Sequence, residues 1–209
     1  VITATCSDGH TEPVTDYRLS APEKLTVADT TVTVFYGALR TSFAIEVTER
    51  TPWGGSGTAE DPYRIGTAEE LAALGEKVGK GNPYTGVTFV LTANIDLSDY
   101  PDWTPIGKNS AQFDGIFDGR GYAIDNLYSK NGGLFGTVCT NAVIRNVGVA
   151  SGRIGSENLS FMGAIAKWSN GADFINCWNG ADILCSGWSG GIVGTIRDGG
   201  SSIIKGCYN

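Results

Sequence analysis

Two acids four residues apart, in Asp114-Gly115-Ile116-Phe117-Asp118-Gly119, have the type and spacing for chemistry. A glycosidase needs two carboxylates about 5 to 10 Å apart across a bound sugar. A lyase of the pectate type would instead use calcium ligands and a basic residue such as Arg120 or Arg145. Asp96, Asp99 and Asp102 form a looser acidic set before Trp103. Asp-Gly pairs are also ordinary turn chemistry, since the carboxylate can bond its own backbone; this reading leaves Asp114 and Asp118 as weak catalytic candidates. The sole histidine, His10, sits beside the Asp8-Gly9 turn, so no Ser-His-Asp or Cys-His arrangement can be built in the later part of the chain. No GxxxxGK[ST] loop or HExxH helix occurs. The five cysteines suit neither zinc nor a thioredoxin-like pair by spacing. Cys177 and Cys207 read as small buried hydrophobes rather than as a disulfide. The expectation is no metal and no cofactor, with calcium unsupported.

Stacking is the other available chemistry. Tyr128, Trp178 and Tyr208 each follow a residue expected to point inward, and Trp168 and Trp188 lie in nearby loops. Outward rings at strand spacing nearly match the length of a sugar residue, so these five are the expected ligand-binding residues, forming a glycan platform. Gly148 interrupts the row, and stacked aromatics also stabilise sheets for their own sake.

The elements that must position these residues are set by a repeated phrase: Ile124-Asp125-Asn126-Leu127-Tyr128, Ile144-Arg145-Asn146-Val147-Gly148, Phe174-Ile175-Asn176-Cys177-Trp178 and Ile204-Lys205-Gly206-Cys207-Tyr208. The phrase starts lie 20, 30 and 30 residues apart. Self-similarity at such a period means stacked units, each too small to bury its own apolar face. The third position is Asn, Asn, Asn, Gly, types that tolerate positive φ, so it reads as one bend recurring in every coil. Ile124, Ile144, Phe174 and Ile204 would then form one inward ladder, and Leu127, Val147, Cys177 and Cys207 another. A second phrase, Gly133-Leu134-Phe135-Gly136, Gly163-Ala164-Ile165-Ala166 and Gly191-Ile192-Val193-Gly194, gives each coil a further strand. The expected fold is all-β, a parallel β-helix of about five coils.

Residues 1–50 read as a separate β module, in which Val32–Tyr36 and Thr41–Val47 flank Gly37-Ala38 as a hairpin would. Thr51-Pro52-Trp53-Gly54-Gly55-Ser56-Gly57 has linker chemistry, which places the β-helix at 58–209. One helix is expected near 67–78: Thr67 and Glu70 form a capping box, and Leu71, Leu74 and Val78 share a face. Laid across the first coil, it would cover exposed strand edges. The other end lacks such a lid, so the parent protein is expected to continue past residue 209, and the open coil could self-associate.

With 15 Lys+Arg against 22 Asp+Glu the net charge is −7, so there is no basic footprint for nucleic acid or an anionic membrane. No apolar run approaches the roughly 20 residues needed to span a bilayer.

Residues 54–209 resemble the right-handed β-helix modules of bacterial surface proteins with GLUG-type repeats, in which Gly-Gly-hydrophobic-hydrophobic-Gly precedes an Ile-x-Asn phrase. Gly57-Thr58-Ala59-Glu60-Asp61-Pro62-Tyr63-Arg64-Ile65 and Trp103-Thr104-Pro105-Ile106-Gly107 match its opening. Residues 1–50 resemble a small or incomplete Ig-like module through Ser7-Asp8-Gly9 and Val14-Thr15-Asp16-Tyr17. The resemblance implies a non-catalytic fragment of a secreted or cell-wall-attached bacterial surface protein, extracellular, attaching to a glycan or host protein. The alternatives are a carbohydrate-active enzyme on the same scaffold and a passive spacer.

Overall fold

The computed structural model describes residues 3–5, 8–20, 29–45, 51–197 and 201–209. The chain divides into two compact units, 1–51 and 52–209.

In the first unit Thr3–Thr5 pairs antiparallel with Thr11–Pro13, and Arg18–Ser20, Thr31–Tyr36 and Leu39–Ala44 form an antiparallel sheet. Gly37 turns the hairpin at φ +57. Val32 and Val34 are buried on one face, as period-two alternation requires. Ser7, Glu46 and Val47, which entered the sequence reading, lie outside the described residues.

The second unit is a parallel β-solenoid in which successive coils contribute short strands to the same sheets. The first sheet stacks Tyr63–Ile65, Thr88–Leu91, Ile116–Asp118, Val143–Arg145, Asp173–Ile175 and Ile204–Lys205, all parallel. Six strands at about 4.8 Å make a stack about 24 Å tall. The second sheet stacks Ile95–Asp96, Ala123–Asp125, Gly148–Val149 and Trp178–Asn179. A third contains Leu127–Ser129, Gly152–Ser156 and Asp182–Cys185, and a fourth Phe135–Val138, Ala166–Ser169 and Val193–Ile196. Phe89, Phe117, Ile144 and Phe174 form one column of the first sheet, each without solvent exposure. Such columns bury the apolar face that no single coil could bury alone.

This register corrects the repeat alignment. Phe117, Ile144, Phe174 and Ile204 share a column, whereas Ile124 pairs with Ile95 and Val149 in the second sheet. The 20-residue step therefore joins two different corners, and only the 30-residue steps follow the coil. Asn146, Asn176 and Gly206 occupy one corner at φ +51, +52 and +66, and Asn126 makes the same bend, at φ +55, one sheet later. Both corners demand a left-handed residue, so both carry Asn and the phrase looks alike. Leu127 likewise leaves the Val147–Cys177–Cys207 column and pairs with Gly152. The second phrase shifts by one residue as well: Phe135 pairs with Ala166, and Ala166 with Val193.

The helix runs Ala68–Gly79 with Thr67 as N-cap, whose Oγ1 accepts from Glu70 N–H at 3.2 Å. The Glu70 carboxylate reaches back to Gly66 N–H at 2.7 Å, one residue beyond the expected capping box. Leu71, Leu74 and Val78 are fully buried in the solenoid core. Segment 51–57 is not a free linker, because Trp53 is 4% exposed and its Nε1 donates to Glu70 O at 2.9 Å. The Gly-rich composition there serves close approach: a Cβ on Gly55 would lie 2.2 Å from Pro62 O.

Candidate functional site

The two acids singled out for catalysis lie in the polar seams between coils. Asp114 accepts from Thr85 Oγ1 at 2.7 Å, Asn141 N at 2.9 Å and Asn141 Nδ2 at 3.0 Å. Asp118 accepts from Arg120 N, Asn146 Nδ2 and Arg145 Nε, at 2.9, 3.0 and 2.9 Å. Burial pushes both carboxyls up, but hydrogen bonds, from Asn141 and Thr85 to Asp114 and from Asn146, Arg120 and Arg145 to Asp118, hold both below their usual 3.8. Neither is tuned as a proton donor at neutral pH. Asn176 Nδ2 donates to Asn146 Oδ1 at 3.1 Å, so the corner is a continuous polar ladder.

The five aromatic candidates do not form one row. Trp178 and Tyr208 are adjacent, ring centroids 6.2 Å apart and 7° from parallel. A Cβ on Gly148 would come within 1.9 Å of the Trp178 ring, so the Gly that seemed to interrupt the row is the position over which Trp178 lies. Tyr128 belongs to the third sheet, opposite Arg153. Trp188 is 74% exposed and meets Phe161 edge-on at 5.6 Å. Trp168 sits in the fourth sheet, between Thr137 and Thr195.

Trp168 opens onto a groove of about 1100 Å³ that sequence reasoning missed. One wall is the helix, which offers it Ala72, Ala73, Gly75 and Gly79 because Leu71, Leu74 and Val78 are committed to the core. The floor is segment 100–110 with Gly136 and Thr137. That segment is fixed on the coil beside it: Trp103 N–H donates to Tyr128 O at 2.6 Å, Trp103 Nε1 to Leu134 O at 3.2 Å and Ile106 N–H to Leu134 O at 3.0 Å. Gly107, at φ +84, lies so close that a Cβ would be 2.6 Å from Thr137 O. A reciprocal pair of 2.9 Å bonds between Lys108 and Ala111 closes the tip. Tyr100 braces Trp103 edge-on at 5.6 Å. Around Trp168, Lys167 Nζ lies 4.9 Å and the Arg197 guanidinium carbon 4.3 Å from the ring centroid.

Lys108, Thr137, Lys167 and Arg197 recur at 29, 30 and 30 residues in the sequence, but the register does not stack them: Thr137 pairs with Trp168 and Trp168 with Thr195, steps of 31 and 27. Among the described residues no group of three His, Cys, Asp or Glu could hold a metal ion. Cys177 and Cys207 are free thiols, Cys177 N–H donating to Cys207 Sγ at 3.4 Å.

The fold and groove define a parallel β-solenoid with a pre-formed surface cleft beside its helix. No protein-family model matches the chain. It is 35% identical over 114 residues to a "Putative Gly-rich membrane protein" of Evansella cellulosilytica and 31% identical over 191 residues to halomucin of Haloquadratum walsbyi. Those matches cover 50% and 83% of this chain but only 13% and 2% of the two relatives, so it spans a small part of each. Among solved structures it resembles a chain described as a putative immunoglobulin A1 protease from Bacteroides ovatus, at 24% identity and TM-score 0.51, covering 73% of this chain and 58% of that one. That likeness concerns the fold. The relatives carry membrane- and surface-type names, and among the described residues no helix is long and apolar enough to cross a membrane.

Proposed function

We propose that the solenoid is a non-catalytic binding module of a secreted or surface-attached protein, holding a glycan or protein ligand in the groove beside Trp168. In this reading the coil is right-handed, the helix is its N-terminal lid, and the first unit is an Ig-like module that presents it. The surface-type names of the relatives support the location, and the GLUG-type resemblance rests on the repeated phrases.

One observation carries the binding role: a wide cleft lined by Tyr100, Trp103 and Trp168 and fixed by backbone bonds between coils. Pre-formed concave sites with a few convergent polar groups are where ligands bind without a large ordering cost. The engagement of Asp114 and Asp118 between coils weighs against the carbohydrate-active enzyme. A glycan and protein array probed with the purified chain, run beside a reducing-sugar assay, tests this. Retention without release of reducing ends is expected. Release would make the chain an enzyme, and no retention on any surface would make it a spacer.

A further inference from the structure

The acids and the cations of the groove differ in what they touch. Asp102 is paired with Lys130, which reaches it through Nζ at 3.4 Å and through its N–H at 3.0 Å. Glu76 is paired with Lys80 at 2.6 Å. The Glu69 carboxylate is held low by its own backbone N–H and by Thr67 at the helix N-terminus. Opposite them stand Lys108 and Lys167 in the lining and Arg197 at the edge, on the Trp168 ring. Among the described residues no carboxylate lies within ion-pair distance of these three. Arg197 is oriented by Asn109, whose Oδ1 accepts from its Nη2 at 2.7 Å and from Thr137 Oγ1 at 3.2 Å. In a chain of net charge −7, these three cations on one cleft have no carboxylate partner among the described residues. Lys167 is half-buried, and burial pushes its ammonium below the usual range because no anion compensates it.

We propose that the groove selects an acidic oligosaccharide, its carboxylate or sulfate groups meeting Lys108, Lys167 and Arg197 and a sugar face lying against the aromatic lining that Trp168 and Tyr100 contribute. The proposal rests on the binding-module reading and narrows it to one ligand chemistry. An anionic group supplies the charge the cleft lacks. A pyranose supplies the flat apolar face that an aromatic wall fits. Lys108, Lys167 and Arg197 stand on three different coils, which suits a polymer able to present more than one anionic group.

The test is calorimetric titration of the whole chain with a galacturonic acid hexamer, a sulfated glycosaminoglycan hexamer, cellohexaose and a hexaglutamate peptide, at about 50 and 200 mM salt. At least one acidic sugar is expected to bind about ten-fold or more tighter than cellohexaose and to weaken at the higher salt. Preference between the two acidic sugars identifies carboxylate or sulfate as the group read. Lys108→Gln and Lys167→Gln are each expected to weaken that binding several-fold, with Lys205→Gln, the same charge change in the first sheet, leaving it unchanged. Lys108 is exposed, so its variant keeps the fold even if Trp168→Ala does not. Cellohexaose binding as tightly would overturn the acidic preference while leaving the binding module standing. Hexaglutamate binding as tightly as the sugars would also overturn it, making the cleft a peptide site. Silence from all four probes, with an array that retains nothing, would overturn both readings.

Discussion

The Asn corner and the Trp168 groove are both polar, both repeat along the coil, and both drew attention as places for chemistry. They differ in whether their charges are already matched. At the corner, Asp118, Arg145, Asn146 and Asn176 bond one another across three coils. In the groove, Lys167 and Arg197 lie on the Trp168 ring and Lys108 in the lining, and among the described residues none of the three is paired with a carboxylate. Polar groups that find partners within the fold specify the stack. Charged groups left without one, on a rigid cleft, are available to a ligand. The corner is therefore architecture, and the groove is the site we propose.

Replacement of Asn146 should break the corner most severely. Asn146→Ala removes its bonds to Asp118 and Asn176 and puts an unfavourable residue at φ +51. A loss of about 2–4 kcal/mol is expected from chemical denaturation, with acidic-sugar affinity intact. Asn146→Gly keeps the conformation and loses only the bonds, so it should cost about half as much; equal losses would mean that the backbone bend contributes nothing. Asp114→Ala comes next, at about 1–3 kcal/mol, because it strips an acceptor from Thr85 and Asn141 at a buried position.

Acid should act on the Asp114 and Asp118 seams in the same direction. Both carboxyls have folded pKa values below the usual 3.8, so their stabilisation is complete above that value and is lost as pH falls through the lower, folded values. Thermal unfolding midpoints should hold steady between about pH 7 and 5 and fall below about pH 4. Asp118→Asn should flatten that fall, and an unchanged curve would show that Asp118 is not coupled to folding. Smallest of all should be the groove's effect on stability: Lys108→Gln should shift unfolding by less than about 0.5 kcal/mol. A larger loss would mean that this cation serves the fold.

Much of the fold was legible because a solenoid repeats its demands. The Asn residues at the bends, the apolar columns and the helix signature from Thr67 to Val78 each had a sequence mark. The register was misread at Asn126 because two corners need the same left-handed residue. Segment 51–57 was misread because Gly and Ser describe tight packing as well as flexibility, and the buried Trp53 was the contrary sign. The groove was illegible in any single segment, since the coil gathers Ala72, Tyr100, Lys108 and Trp168 from nearly 100 residues of chain. Lys108, Lys167 and Arg197 stand on three coils but in no common column, so no spacing in the sequence marked them as one site.

The central claim is that the ligand sits on the groove and not on the Trp178–Tyr208 stack. The five tryptophan indole N–H signals of the chain, followed by two-dimensional NMR as the better-binding acidic hexamer is added, test it directly. The account expects the Trp168 signal to shift progressively to saturation while those of Trp178 and Trp188 stay in place. Movement of Trp178 or Trp188 with Trp168 unmoved would contradict it.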